Sequence, residues 1–316
     1  MKIFATRRII GLDEYRNEFD WDVWEDELPP SPEALRAKAQ GCAGLVTMLS
    51  DRIDAALLDS LPTLKVISQY AVGVNNIDLA AAKARGIQVG NTPDVLTDAT
   101  ADLAFALLMS SARHIVPGCD YVKAGRWKTW GPTLFMGSAV WGATLGVVGY
   151  GRIGQAMARR GKGFAMRVLV SSEHLTPEDA ARDGVEAASL ETVLRESDFV
   201  SLHTPLSPAT HHLIGAQELA LMKPIAILIN AARGEIVDPQ ALFEALKTGR
   251  PGFAALDVTE PEPLPADHPL LSLPNCLVVP HLGSATRQAR LAMTRLVIAN
   301  LRAGLNGDPL PHLANP

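Results

Sequence analysis

Residues 143–154 read ATLGVVGYGRIG, a short apolar run that feeds a G-x-G-x-x-G turn, with a helix-compatible segment following from Gln155. Each glycine has its own mechanical task in such a turn. Gly149 lets the chain leave a strand sharply, Gly151 removes a side chain where a pyrophosphate must approach the backbone, and Gly154 lets helix and strand pack closely. The N–H groups at the helix start then face the phosphates. Gly-rich turns without a ligand are common, so the pattern takes its meaning from context. It follows an apolar strand in mid-chain and precedes a second, at residues 167–171. That order is the grammar of a dinucleotide-binding unit.

Outward from this turn, short apolar or β-branched runs alternate with helix-like stretches, which argues for parallel sheets with helical crossovers. One series of strands is expected at residues 2–6, 44–48, 65–70 and 87–91, with helices between them, for example at 32–40 and 77–85. A second series begins at 144–148 and continues through 167–171, 199–203, 226–230, 253–258 and 277–279. Such runs suit strands covered on both faces. Between the series lie an Ala- and Leu-rich helix at 98–115 and a less regular stretch with Gly118, Gly125, Gly131, Pro132 and Gly137. Residues 285–304 read as a long helix ended by Gly304. If that helix returns to the first series, the first lobe is discontinuous in sequence. No internal repeat or heptad pattern points to a repeat array or coiled coil.

Composition narrows the classes further. A chain of 316 residues is more comfortable as two domains than as one. Its net charge of −5, with Lys and Arg scattered, gives no electrostatic footprint for nucleic acid or an acidic membrane. An anionic ligand must then be held by local groups. Cys42, Cys119 and Cys276 lack metal-like pairing, so neither a disulfide framework nor a structural metal is expected. The start, MKIFATRRIIGLDEY, lacks the apolar core of a signal peptide, and the most apolar helical run, near 103–109, is too short to span a bilayer. A soluble, cytoplasmic protein is expected.

Three further segments belong at strand ends: INAARGEIVD with Arg233, LDVTEPEPLP with Glu262, and VVPHLGSAT with His281. Ligands of doubly wound sheets bind outside the carboxyl ends of strands, so all three would face one crevice. With YAVGVNNID, NTPDVLTDATAD, GYGRIG and LHTPL, these motifs run in order over nearly the whole length. The chain resembles the D-isomer-specific 2-hydroxyacid dehydrogenases, most closely the glyoxylate/hydroxypyruvate reductase branch. The resemblance implies an α/β fold of two Rossmann-like, doubly wound parallel-sheet domains. A dinucleotide-binding domain (98–285) would be inserted in a discontinuous substrate-binding domain (1–97 and 286–316). It also implies reduction of a small 2-keto acid, glyoxylate or hydroxypyruvate, to the D-2-hydroxy acid with NADH or NADPH.

The residue chemistry is consistent with that activity. A 2-keto acid carries a carboxylate and a carbonyl that becomes an alkoxide as hydride arrives, so its site needs a fixed cation and a proton donor. The planar fork of Arg233 can pair with the carboxylate and polarise the carbonyl. His281 can give a proton during reduction, and Glu262 would orient it and favour its protonated form. By resemblance, backbone N–H groups of Ala71, Val72 and Gly73 bind the substrate carboxylate and Leu49 shapes the pocket. Gly73 leaves such amides open to an anion. Trp130, close to Trp127 in GRWKTWGP, matches a residue that in glyoxylate reductase relatives reaches the partner subunit's active site, which implies a homodimer and a narrow pocket.

Cofactor contacts are likewise carried over by resemblance. Beyond Gly149, Tyr150, Gly151, Arg152, Ile153 and Gly154, they include Thr97 and, on the adenine and ribose side, His203 with Thr204 and Pro205. Thr210, Ala231, Ala232, Gly283 and Ser284 join them, and Asp257 matches the family's carboxylate near the nicotinamide carboxamide. The remaining histidines, His114, His174, His211, His212, His268 and His312, have no partner pattern and read as surface residues.

The match is imperfect in two places. An acid that selects NAD through the ribose 2′-OH belongs at the end of the second strand of the cofactor domain. Counting from Gly149 puts Ser172 there and Glu173 one place later, with Arg182 the next arginine, so NADH and NADPH both stay open. Gly161 and Gly163 interrupt the helix after the fingerprint, each at a cost of roughly 1 kcal/mol against alanine. Two alternatives remain. One is a reductase of a larger 2-keto acid such as 2-ketogluconate, and the other a non-catalytic dinucleotide-sensing protein of the same fold. Phosphite dehydrogenase carries Lys at the position of Val72 and formate dehydrogenases carry Gln at that of Glu262, which argues against both.

Overall fold

The apolar runs become two separate parallel sheets. The computed structural model describes residues 1–315, so Pro316, the last residue of the expected C-terminal segment, lies outside the described residues. One compact unit comprises Met1–Leu96 and the chain from Ser284 onward, and the other comprises Thr97–Gly283.

In the first unit, β1 (Lys2–Ala5), β2 (Asp20–Val23), β3 (Gly44–Thr47), β4 (Val66–Gln69) and β5 (Gln88–Gly90) lie in the order β2-β1-β3-β4-β5. All pair in parallel. The connecting helices are α1 (Pro32–Ala39), α2 (Ala55–Asp59) and α3 (Leu79–Ala84). Each begins where Ser31, Asp54 or Asp78 accepts a hydrogen bond from the N–H three residues on, satisfying one of the donors a helix start leaves unpaired. Sequence reasoning passed over β2 because its DWDV carries two acids. An edge strand tolerates them, since one side needs no partner and charge there discourages edge-to-edge pairing.

The second unit opens with α4 (Thr97–Ala112) and α5 (Ile115–Lys123). The sheet consists of β6 (Thr144–Val148), β7 (Arg167–Ser171), β8 (Glu186–Ala187), β9 (Phe199–Leu202), β10 (Ile227–Asn230), β11 (Phe253–Leu256) and β12 (Cys276–Val278). Between the strands run α6 (Arg152–Gly163), α7 (Pro177–Asp183), α8 (Leu190–Glu196), α9 (Ala216–Leu221) and α10 (Pro239–Thr248). The strand order is β12-β11-β10-β9-β6-β7-β8, so the chain starts mid-sheet at β6, runs outward to β8 and returns to β9 on the other side of β6. Alternation along each strand feeds two cores. Val147 faces one with Leu108 and Met157, while Val148 faces the other with Val193, Leu219 and Leu242. Where an irregular stretch is expected after residue 115, the chain forms α5, which buries none of its residues.

The long α11 (Arg287–Asn306) belongs to the first unit and packs on β4. Its expected end at Gly304 is corrected by the structure. Gly304 is buried inside the helix, where a Cβ would sit 2.6 Å from the Val66 side chain. The cap is Gly307, in the left-handed conformation at φ 83°. Gly161 serves the same purpose in α6, since a Cβ there would lie 2.6 Å from Leu145 of β6. Both glycines are contact points that bring a helix against its sheet. Beyond α11 the C-terminal segment covers the β5 edge, with the Ala314 N–H donating to the Val89 carbonyl at 2.7 Å and the Val89 N–H to Asn315 Oδ1 at 2.8 Å.

Replacing Gly304 with valine forces α11 off β4. The Gly304→Val variant is expected to lose about 1–3 kcal/mol of stability in denaturant unfolding, the usual cost of overpacking. An unchanged midpoint would show that this contact has slack.

Candidate active site

The strand order of the second unit reverses between β6 and β9, the place where a doubly wound sheet leaves a crevice at its carboxyl edge. The glycine turn sits there. Gly149 has φ 90°, and a Cβ on it would lie 2.7 Å from backbone atoms of His203 and Thr204, so the loop after β9 presses on the turn after β6. A Cβ on Gly154 would lie 2.1 Å from the Gly149 carbonyl oxygen, whereas one on Gly151 would meet nothing within 4 Å. Gly151 is also the N-cap of α6 and no side chain caps it. An open backbone at an uncapped helix start fits a diphosphate. Arg152 is exposed and Ile153 half-buried beside it.

Around this cradle, Tyr150 has its ring in the core and its hydroxyl on Asp183 at 3.2 Å. Burial first, then the Asp183 charge, pushes its phenol up to about 12. Ser172 follows β7 and accepts from the His174 N–H at 3.3 Å, and Glu173 is exposed. Arg182 is engaged by Asp179 at 2.6 Å and Asp183 at 2.9 Å. Thr97 is the first residue of α4.

His203 hydrogen-bonds through Nε2 to Ser201 Oγ at 2.8 Å. Its Nδ1 is buried without a partner among the described residues, and burial pushes the imidazole down to about 4. An orphaned ring nitrogen beside the cradle is a further polar group that suits a bound cofactor. Thr210 closes the following loop by donating to the Pro205 carbonyl at 2.6 Å and accepting from the Ser207 N–H at 2.8 Å. The expectation that His212 is a partnerless surface residue is corrected. It bonds through Nε2 to Glu260 Oε2 at 2.8 Å, with the His211 ring stacked 4.0 Å away.

The ends of β10, β11 and β12 position the polar groups. Asn230, at the end of β10 and 1% exposed, donates through Nδ2 to the Arg233 carbonyl at 2.7 Å and accepts from the Ala232 N–H at 3.1 Å. Ala231 is buried beneath this turn. A Cβ on Gly234 would lie 2.0 Å from the Thr259 carbonyl oxygen, so the Arg233 turn packs against the loop that carries Glu262. Desolvation lowers the pKa of Arg233, offset in part by Glu262 and Glu235. His281 Nδ1 bonds to Glu262 Oε1 at 2.6 Å, leaving Nε2 as the free ring nitrogen. Desolvation opposes ionisation of Glu262, but the hydrogen bond and charge of His281 outweigh it and hold the carboxyl below the usual range.

Asp257 ties this region together. It is 2% exposed; its carboxylate accepts from the N–H groups of Leu282 and Gly283, and its carbonyl accepts from the His281 N–H at 2.9 Å. His281 is left at φ 50°, a conformation uncommon outside glycine. Gly283 stays bare because a Cβ would lie 3.2 Å from Asp257 Oδ2. Ser284 falls in the first unit, where its carbonyl accepts from Arg290.

In the first unit, the loop at Ala71, Val72 and Gly73 has its carbonyls occupied. The Thr92 N–H donates to Ala71 at 2.9 Å, Asn91 to Val72 at 2.7 Å and Gln69 to Gly73 at 3.4 Å. Among the described residues, the N–H groups of Val72 and Gly73 have no acceptor. Leu49 is half-buried in the turn after β3. Trp130 is 76% exposed.

The family model described as the D-isomer specific 2-hydroxyacid dehydrogenase NAD-binding domain matches residues 105–283. The chain is a member of the D-isomer specific 2-hydroxyacid dehydrogenase family. It is 48% identical over 318 residues to the glyoxylate reductase of Korarchaeum cryptofilum, covering 99% of this chain and 96% of that one. Among solved structures it is similar to the TT0316 protein of Thermus thermophilus, with a TM-score of 0.92, 46% identity and coverage of 99% and 100%. A second is the NADPH-dependent glyoxylate/hydroxypyruvate reductase of Sinorhizobium meliloti, solved with NADP and malonate, at a TM-score of 0.87, 30% identity and coverage of 99% and 96%.

As an NAD(P)-dependent D-2-hydroxyacid dehydrogenase, the protein takes NADH or NADPH as its cofactor. Residues that sequence reasoning missed also support this region: Asn230 beneath the Arg233 turn, Thr259, whose N–H donates to Glu262 Oε2 at 3.4 Å, and the Glu260 and His212 pair. Asn230 had one legible signal, a polar residue closing the apolar strand ILIN.

His203 is neutral in the fold and gains a proton near 6.5 when unfolded, so between about 6.5 and about 4 the native state binds fewer protons than the unfolded state. Its contribution to stability is therefore lost downward through that window, on the order of 1 kcal/mol per pH unit. Chemical unfolding at several pH values should give a steeper acid loss for the wild type than for His203→Gln. Parallel curves would remove His203 as the cause.

Proposed function

We propose that this enzyme reduces a small 2-keto acid, glyoxylate or hydroxypyruvate, to the 2-hydroxy acid, of D configuration where a stereocentre forms. The observation that carries this reading is the bond between Glu262 and His281 Nδ1 at 2.6 Å, beside the turn that presents Arg233. That arrangement is the proton donor and cation the chemistry needs, in a chain similar to glyoxylate reductases. Arg233 pairs its fork with the substrate carboxylate and carbonyl oxygen. His281 delivers its Nε2 proton to that oxygen as negative charge develops, and Glu262 keeps the ring oriented and balances the imidazolium. The unoccupied N–H groups of Val72 and Gly73 bind the carboxylate, and Leu49 limits the space around it. The bound nicotinamide supplies the hydride to the carbonyl carbon.

On this reading the second unit is the dinucleotide-binding domain. The amides at Gly151, Arg152, Ile153 and Gly154 hold the diphosphate. Ser172, Glu173, His203, Thr204, Pro205 and Thr210 border the adenosine half. Thr97, Ala231, Ala232, Asp257, Gly283 and Ser284 border the nicotinamide half, and Tyr150 buttresses the turn. The first unit is the substrate-binding domain. We also assign a homodimer and a cytoplasmic setting. α5 and the segment after it expose Ile115, Val122, Trp127, Trp130, Met136 and Trp141, an apolar surface that a second copy would cover. Free cysteines at 42, 119 and 276 suit a reducing compartment.

Arg233→Ala and His281→Ala should each lower kcat/KM for glyoxylate by about 10²–10⁴-fold, with cofactor affinity measured by fluorescence titration largely kept. Wild-type turnover in either variant would remove that residue from the chemistry. Cofactor binding without turnover of any 2-keto acid by the unaltered enzyme would favour a sensor instead. Sedimentation should find a dimer, with Trp130→Glu shifting it toward monomer. A monomeric wild type would end the dimer assignment.

A further inference from the structure

The first unit contains a cavity of about 490 Å³ that none of these roles uses. It is lined by Arg7 and Arg8 beyond β1, Met48 beyond β3, Tyr70 beyond β4, and Arg287 and Arg290 from the start of α11. The chain runs from β1 outward to β2 and returns to β3 on the other side of β1, so the strand order of this sheet reverses between β1 and β3. The cavity thus occupies the position at which doubly wound sheets bind ligands.

Its charge is one-sided. Arg8 is neutralised by Asp13 at 3.1 Å and Glu25 at 2.7 Å. Arg7 donates to the Thr6 and Leu28 carbonyls, and Arg290 donates to the Ser284 carbonyl while lying over the Tyr70 ring at 5.7 Å. Among the described residues, Arg7, Arg287 and Arg290 have no carboxylate partner, and no acid lines the cavity. Asp51, whose charge reaches Arg7, is buried and held by Thr6 and the Met48 N–H. In a chain of net charge −5, three guanidiniums lacking acid partners line one cavity, which makes it a locally positive place for an anion. Forked guanidiniums suit the oxygens of a phosphate or carboxylate.

We infer that this cavity is an anion-binding site, and that the anion is the far end of a 2-keto acid carrying a second acidic group. Met48 and Tyr70 adjoin Leu49 and Ala71 in sequence, so the same two strand ends carry the cavity and the loops assigned to the substrate. A two-carbon acid such as glyoxylate has nothing to place there. The substrate assignment rests on the reading under Proposed function and extends it from glyoxylate and hydroxypyruvate to 2-keto acids with a second acidic group, whereas the anion site itself does not depend on it.

Arg287 is exposed at the first position of α11, where an acid is well tolerated. Arg287→Glu is therefore compared with wild type on two matched pairs, hydroxypyruvate with its phosphate ester and 2-oxopentanoate with 2-oxoglutarate. Inorganic phosphate is titrated calorimetrically into the cofactor-loaded enzyme in parallel. The wild type should prefer the doubly acidic member of a pair, and the variant should reduce that preference at least tenfold through KM. If the preference is absent but inorganic phosphate binds the wild type and binds Arg287→Glu at least tenfold more weakly, the cavity holds a free anion and the substrate assignment is overturned. If the variant changes neither the preference nor phosphate affinity, or the wild type shows neither, the anion site is overturned. Failure to turn over any 2-keto acid would count against the function reading, while the phosphate titration would still decide the site.

Discussion

The geometry around His281 depends on one buried carboxylate. Asp257 follows β11 with both oxygens on the N–H groups of the loop that follows β12, and its carbonyl holds the His281 N–H. Desolvation raises its pKa, against the opposing pull of the two amides and of the His281 charge. Those hydrogen bonds offset the cost of burying the charge. They also fasten the loop on which His281 sits at φ 50°, with its Nδ1 on Glu262 Oε1 at 2.6 Å. Arg233 is placed on the same principle one strand away, by Asn230 beneath its turn and by the absence of a side chain at Gly234. Both side chains are thus located by contacts from neighbouring strands and loops.

Close approach is the second organising constraint. Gly149 lets the loop after β9 meet the turn after β6, Gly154 lets α6 start against that turn, and Gly161 and Gly304 let two helices settle on their sheets. In each case the missing Cβ is what the neighbour requires. Gly149 and Gly154 of the fingerprint and the glycines of the helix interiors therefore belong to one class, although the former meet backbone and the latter meet side chains, while Gly151 alone of the fingerprint borders open space.

Much of the fold was legible because buried parallel strands leave an unmistakable trace. β6 and β7 match the expected boundaries, and the other expected strands differ at their ends by a residue or two. The strands that escaped notice, β2 and β8, lie at sheet edges, where burial is partial and acids are tolerated. The end of α11 was misplaced because a glycine reads alike whether it stops a helix or lets one pack. His212 looked partnerless because Glu260 stands 48 residues further along the chain.

The residue order by itself determined that two parallel-sheet units exist, that one carries a dinucleotide turn, and that an arginine, an acid and a histidine lie in segments that follow strands. Those features are local: hydrophobic period, glycine spacing and residue chemistry can be read within a dozen positions. Tertiary structure decided the rest. It paired Glu262 with His281, tied Asp257 to the His281 loop, left the Val72 and Gly73 amides open, and gathered arginines from positions 7 and 290 around one cavity. Contacts between residues so far apart in sequence arise when strand order brings their loops to the same edge of a sheet, and no local pattern encodes them.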